Sequence, residues 1–93
     1  MNLDKAKKRI AKQVKKGFDG YPMLTFAYFG ATADCATEVE VSFLADATTE
    51  PQMQKFSSGS DVREDETIQS VLVKIIERAE PKTVSEVAGV TIR

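Results

Sequence analysis

Glu38-Val39-Glu40-Val41-Ser42-Phe43-Leu44-Ala45-Asp46 is the stretch on which the fold turns. Val39, Val41, Phe43 and Ala45 fall on one side of an extended chain, and Glu38, Glu40 and Ser42 on the other. That period of two predicts a strand with one face in a core and one face outside it. The chain therefore contains a sheet, and the neighbouring segments decide what lies on it.

On the N-terminal side, Gly30 to Thr37 reads as a loop by its small and polar residues. Before it, Met23 to Phe29 is dense in aromatic and β-compatible side chains. Leu24, Phe26 and Tyr28 alternate with Met23, Ala27 and Phe29, so this strand is predicted to be apolar on both faces. On the C-terminal side, Thr48, Thr49, Glu50 and Pro51 break the alternation, and Gln52 to Ser57 forms a third, shorter and less apolar strand around Met53, Lys55 and Phe56. Connections of hairpin length predict that these three strands are antiparallel neighbours.

Helical periodicity flanks the strands. Leu3, Ala6, Ile10, Val14 and Phe18 make one stripe, with Asn2 or Asp4 placed to cap its start and Gly17 placed to end it after Lys15 and Lys16. Asp19-Gly20 then turns the chain, and Pro22 holds Tyr21 outside helical geometry. A second stripe comprises Ile68, Val71, Leu72, Ile75, Ile76 and Ala79. Asp61 and Glu64 have capping-box spacing before it, and Pro81 stops it. The expectation is one α+β domain over residues 1–93. It is a two-layer sandwich with helix-strand-strand-strand-helix order, an antiparallel sheet and both helices on one face. Residues 84–93 form either a loosely attached tail or an extra C-terminal edge strand around Val90-Thr91-Ile92.

This order of elements resembles that of the double-stranded RNA-binding domain. The resemblance implies a lysine-rich cluster at the start of the second helix, facing phosphates. This chain reads Arg63-Glu64-Asp65-Glu66 there, which repels them. Order alone does not carry function.

The inventory of reactive side chains excludes several chemistries. The 93 residues contain no histidine and one cysteine, Cys35. Imidazole triads, multi-cysteine metal centres and intrachain disulfides are thereby ruled out. Cys35 sits beside Asp34 with no cation adjacent in sequence, which describes an inert thiol. Gly17, Gly20, Gly30, Gly59 and Gly89 are too scattered for a phosphate-binding loop. Glu38 with Glu40, and Asp61 with Glu64 to Glu66, match no calcium-loop spacing, and helix capping accounts for the second group. The reading is accordingly a non-enzymatic domain with no catalytic residue, cofactor or metal. The absence of a long apolar run or a signal-peptide core, together with the single cysteine, points to a soluble cytoplasmic protein.

Two surfaces remain as candidates for function. Residues 1–20 carry a net charge of +5 and residues 21–93 carry −6. Lys5, Lys8, Arg9, Lys12 and Lys15 would form a cationic face suited to phosphates or to an acidic protein, although a charged helix face is ordinarily just its solvated side. The aromatic segment from Tyr21 to Phe29 contains no cation, and none occurs between Lys16 and Lys55, so it does not make a stacking platform for bases. The first helix carries too little apolar bulk to act at a membrane. Met23, Ala27 and Phe29, apolar on the far face of the sheet, call for a covering layer that a second copy or another protein would provide. Association with itself or with another protein is the leading expectation, and weak, sequence-independent nucleic-acid binding through the basic helix is the alternative.

Overall fold

A computed structural model describes residues 2–87 and 89–92. Met1, Ala88 and Arg93, which the predicted domain includes, lie outside the described residues. Among those described, α1 spans Leu3–Lys15, β1 Met23–Gly30, β2 Glu38–Leu44, β3 Gln52–Ser57, α2 Glu66–Ala79, β4 Thr83–Glu86 and β5 Thr91–Ile92. The fold is α+β, with the helices on one face of a five-stranded sheet.

Local sequence sets the helix ends. Asn2 caps α1, its Oδ1 accepting from the Lys5 N–H at 2.9 Å. Gly17, at φ +74°, takes the left-handed turn that stops the helix, so the predicted stripe ends short of Phe18. At α2 the capping box is corrected. Asp61 caps a short 3-10 turn at Val62–Glu64, and Asp65, one turn later, caps the helix by accepting from the Ile68 N–H at 3.1 Å. Both aspartates satisfy otherwise orphaned backbone donors, and spacing alone does not tell which one opens the long helix. The helix ends at Ala79, and Glu80 turns left-handed before Pro81 is reached.

The antiparallel expectation holds for β1 with β2 and for β2 with β3, in registers such as Phe26 opposite Val41 and Val41 opposite Gln54. It fails for the last two strands. β4 and β5 run parallel to β1 along one side, with Leu24 opposite Val84 and Phe29 opposite Thr91. The sheet is therefore mixed, in the order β3-β2-β1-β4 with β5 also on β1. The cause lies in α2. A helix that crosses the sheet carries the chain from the end where β3 finishes back to the end where β3 began, so β3 and β4 on either side of it point the same way. The C-terminal segment thus joins the sheet beside β1, where β4 and β5 form the edge opposite β3, which is the edge-strand alternative for residues 84–93.

β4 is anchored there by polar contacts from the loop before β1. The Thr83 hydroxyl donates to the Gly20 carbonyl at 2.7 Å and accepts from the Asp19 N–H at 2.8 Å. The Lys82 N–H donates to the Pro22 carbonyl at 2.8 Å. The hydrophobic core lies between this sheet and the helices. Leu24, Phe26, Val39, Val62 and Leu72 are fully buried in it, joined by Ala6 and Ile10 of α1. On α2 the buried positions are Ile68, Gln69, Leu72 and Val73, while Val71 is half-buried. The helix is rotated slightly from the predicted stripe because Gln69 turns inward to donate to the Val62 carbonyl at 3.0 Å.

Candidate functional site

Three regions qualify as sites, and each is built by a different element. The first is the outer face of α1. Ala6 and Ile10 face the core, and a step of 100° per residue then turns Lys5, Lys8, Arg9, Lys12 and Lys15 toward solvent, where all five are exposed. Over the ten helical steps from Lys5 to Lys15 this face is about 15 Å long. Arg9 reaches Glu77 of α2 at 3.3 Å, whereas Lys5, Lys8, Lys12 and Lys15 form no ion pair with a described residue. Lys7 lies off this stripe and pairs with Glu64 at 2.8 Å.

The second region is the sheet face turned away from the helices. Met23, Ala27 and Phe29 lie on it, each half-buried. The register sets Met23 against Leu44, Thr25 against Ser42, Ala27 against Glu40 and Phe29 against Glu38. Lys55 of β3 stands opposite Glu40 and forms an ion pair with Glu38 at 3.6 Å. The three predicted side chains do share a face. Hydroxyl and carboxylate positions of β2 divide them, so the apolar surface is broken into pieces rather than continuous. Beside it runs the outer edge of β3, where Gln52, Met53, Gln54 and Lys55 are exposed, Met53 to 56%.

The third is a cleft of about 650 Å³ between α1, the 3-10 turn and the ends of β1 and β4. Sequence reasoning did not find it. Tyr28, only 5% exposed, donates its hydroxyl to Glu86 Oε2 at 2.7 Å on the cleft floor. Burial first, and then the neighbouring Glu86 carboxylate, push the phenol pKa well above its ordinary value. Arg63 forks onto Asp61, with Nε to Oδ1 at 3.0 Å and Nη2 to Oδ2 at 2.7 Å, and Nη2 also reaches the Asp34 carbonyl at 3.2 Å. The guanidinium holds the Asp61 carboxyl below the usual carboxylate range. Asp61 and Arg63 are two apart in sequence, a spacing that could have suggested the pair. Tyr28 and Glu86 are 58 residues apart, and only the β1-β4 pairing brings them together.

Chemically, this cleft holds paired groups. Tyr28 is kept protonated and committed to Glu86, Arg63 is committed to Asp61, and Lys7 is committed to Glu64. Such a set fixes the positions of loops and helix ends. Cys35, half-buried in the β1-β2 loop, lies near the Arg63–Asp61 pair, since Arg63 reaches the carbonyl of the preceding Asp34, so the structure supplies a cation that the neighbouring sequence does not; the Cys35 carbonyl lies against Gly30, where an added Cβ would sit 2.1 Å from it. Among the described residues no helix is long and apolar enough to cross a membrane, and no group of carboxylates and thiols is arranged to hold a metal ion. No protein-family model, curated protein or solved structure matches this chain.

Proposed function

We propose that this chain is a non-enzymatic interaction domain that associates with a second copy of itself through its sheet, in a reducing, cytoplasmic setting consistent with its lone cysteine. One observation carries the reading: the sheet is finished on its helix side and unfinished elsewhere. The helices close over Leu24, Phe26, Val39 and Val41, while the face with Met23, Ala27 and Phe29 and the edge formed by β3 have no covering element among the described residues. A strand with one open edge, beside a face that retains apolar side chains, gives a second copy hydrogen-bonding groups to pair with. Sedimentation equilibrium from low to high micromolar concentration tests it. A dimer whose population grows with concentration is the expected result, and a strict monomer at high micromolar concentration overturns it.

The cationic face of α1 favours a second reading, weak nucleic-acid binding independent of sequence. Its support is that Lys5, Lys8, Lys12 and Lys15 share the solvent side of one helix without internal ion pairs, leaving their charge available to phosphates. With Arg9 they would make up to about five phosphate contacts, for which log affinity falls with log salt at a slope of about −4 on duplex DNA. Fluorescence anisotropy with labelled DNA and RNA oligonucleotides at two salt concentrations measures this slope. Binding lost in Lys8→Glu/Lys12→Glu supports the reading, and no binding at low salt removes it.

A further inference from the structure

The two edges of the sheet are not alike. One side of β1 is lined by two short strands, β4 of four residues and β5 of two, with a break between them. Short, interrupted edges pair poorly with other chains. The opposite edge is β3, six residues that keep an unbroken register with β2 from Glu38 opposite Ser57 to Phe43 opposite Gln52. No proline or bulge interrupts it, since Pro51 lies just before its first residue. Its one charge, Lys55, is drawn toward Glu38 of its own sheet. The usual devices that blunt an edge strand are therefore nearly absent from β3.

Resting on the self-association reading, we infer that the second copy joins along β3, antiparallel to its counterpart, in a register centred on Gln54. A twofold axis perpendicular to the sheet keeps each face of one copy continuous with the same face of the other, so directly opposed residues must share a face. Gln52, Gln54 and Phe56 lie on the helix side, and Met53, Lys55 and Ser57 on the open side. Only registers centred on a residue satisfy this condition. Centring on Lys55 sets two ammonium groups against each other, which is unfavourable. Centring on Met53 shortens the overlap and places Lys55 opposite Pro51. Centring on Gln54 keeps the pairing from Gln52 to Phe56, sets Gln52 against Phe56, and places each Lys55 beside a Met53 whose side chain is otherwise exposed.

The same arrangement joins two grooves. On the helix side, Val41, Phe43, Gln52, Gln54, Ile75 and Arg78 line a groove of about 370 Å³ between α2 and the β2-β3 ribbon, because no helix covers β3. Edge pairing brings the two grooves side by side between the two α2 helices and gives Phe56, half-buried in one copy, a neighbour in the next.

Two measurements on the full chain test the inference. In a Cys35→Ser background, Gln54→Cys should oxidise to a disulfide-linked dimer, because each residue 54 faces its own copy. Met53→Cys and Lys55→Cys should link poorly alone and link to each other when mixed. On the chain without added cysteines, amide hydrogen exchange within residues 52–56 should slow as concentration rises. If the protein is a dimer by sedimentation yet Gln54→Cys does not link and the β3 amides gain no protection, the edge register is wrong while self-association stands. A protein that stays monomeric overturns both.

Discussion

β1 and β3 belong to one sheet and are built from similar numbers of residues, yet they live in different solvents. Every second residue of β1 is buried, and the residues between them are half-covered by flanking strands on both sides. β3 has one neighbour and, apart from Phe56, is not covered by either helix, so even its helix-facing Gln52 and Gln54 are exposed. A residue's burial in this protein is decided less by its strand's own pattern than by how many elements reach across it. The same property makes β1 a source of stability and leaves β3 an open edge.

The widest gap between the two strands should appear on truncating their phenylalanines. Phe26 is fully buried at the centre of the core, and Phe26→Ala should cost about 3 to 5 kcal/mol, a large part of the roughly 5 to 15 kcal/mol that a domain of this kind has in total. Phe56→Ala on β3 should cost less, about 1 to 2 kcal/mol, because its ring packs on the margin of the core and is only partly buried. Urea denaturation of the two variants, read by circular dichroism, gives the ratio directly; equal losses would mean that β3 is covered as well as β1.

A smaller effect is expected at the last residue of β1. An added Cβ at Gly30 would sit 2.1 Å from the Cys35 carbonyl oxygen, which is backbone and cannot rotate away. Gly30→Ala should therefore destabilise by about 1 to 3 kcal/mol through displacement of the β1-β2 loop. Gly59, with nothing within 4 Å of the same position, provides the control: Gly59→Ala should change the thermal midpoint little.

The smallest effect has the clearest signature in pH. Tyr28→Phe removes the hydroxyl that donates to Glu86 and should cost about 1 kcal/mol at neutral pH. Folding raises the phenol pKa, so the folded state favours the protonated form. The resulting stability is fully present below the unfolded-state value of about 10 and is lost as pH rises beyond it. Stability measured from pH 8 to pH 11 should fall more steeply in the parent than in Tyr28→Phe. Parallel curves would show that another group governs the alkaline limb.

Much of this architecture was legible residue by residue. Alternation over Glu38 to Phe43, the stripe of α1 and the extent of β3 are local properties, each set by a side-chain period that one segment carries by itself. The cationic face was legible for the same reason, since a helix fixes the relative directions of Lys5, Lys8, Arg9, Lys12 and Lys15. The apolar trio was legible only in part. Alternation places Met23, Ala27 and Phe29 on one face, but their cross-strand neighbours Leu44, Glu40 and Glu38 depend on register. The cleft was not legible, because Tyr28 and Glu86 meet through the pairing of β1 with a strand 60 residues further along by register.

By itself the sequence determined the two helices and the first three strands, which faces are apolar and where charge gathers, because short-range sterics, capping and side-chain periodicity act within a few residues; β4 at Thr83–Glu86 carried no such local mark. Only the tertiary structure decided that β4 and β5 run parallel to β1, that Asp65 rather than Asp61 caps α2, that Tyr28 is closed over Glu86 and that β3 is left as an open edge. Each of those outcomes depends on where a crossing helix delivers the chain. That depends on the packing of the whole core, which no local stretch encodes.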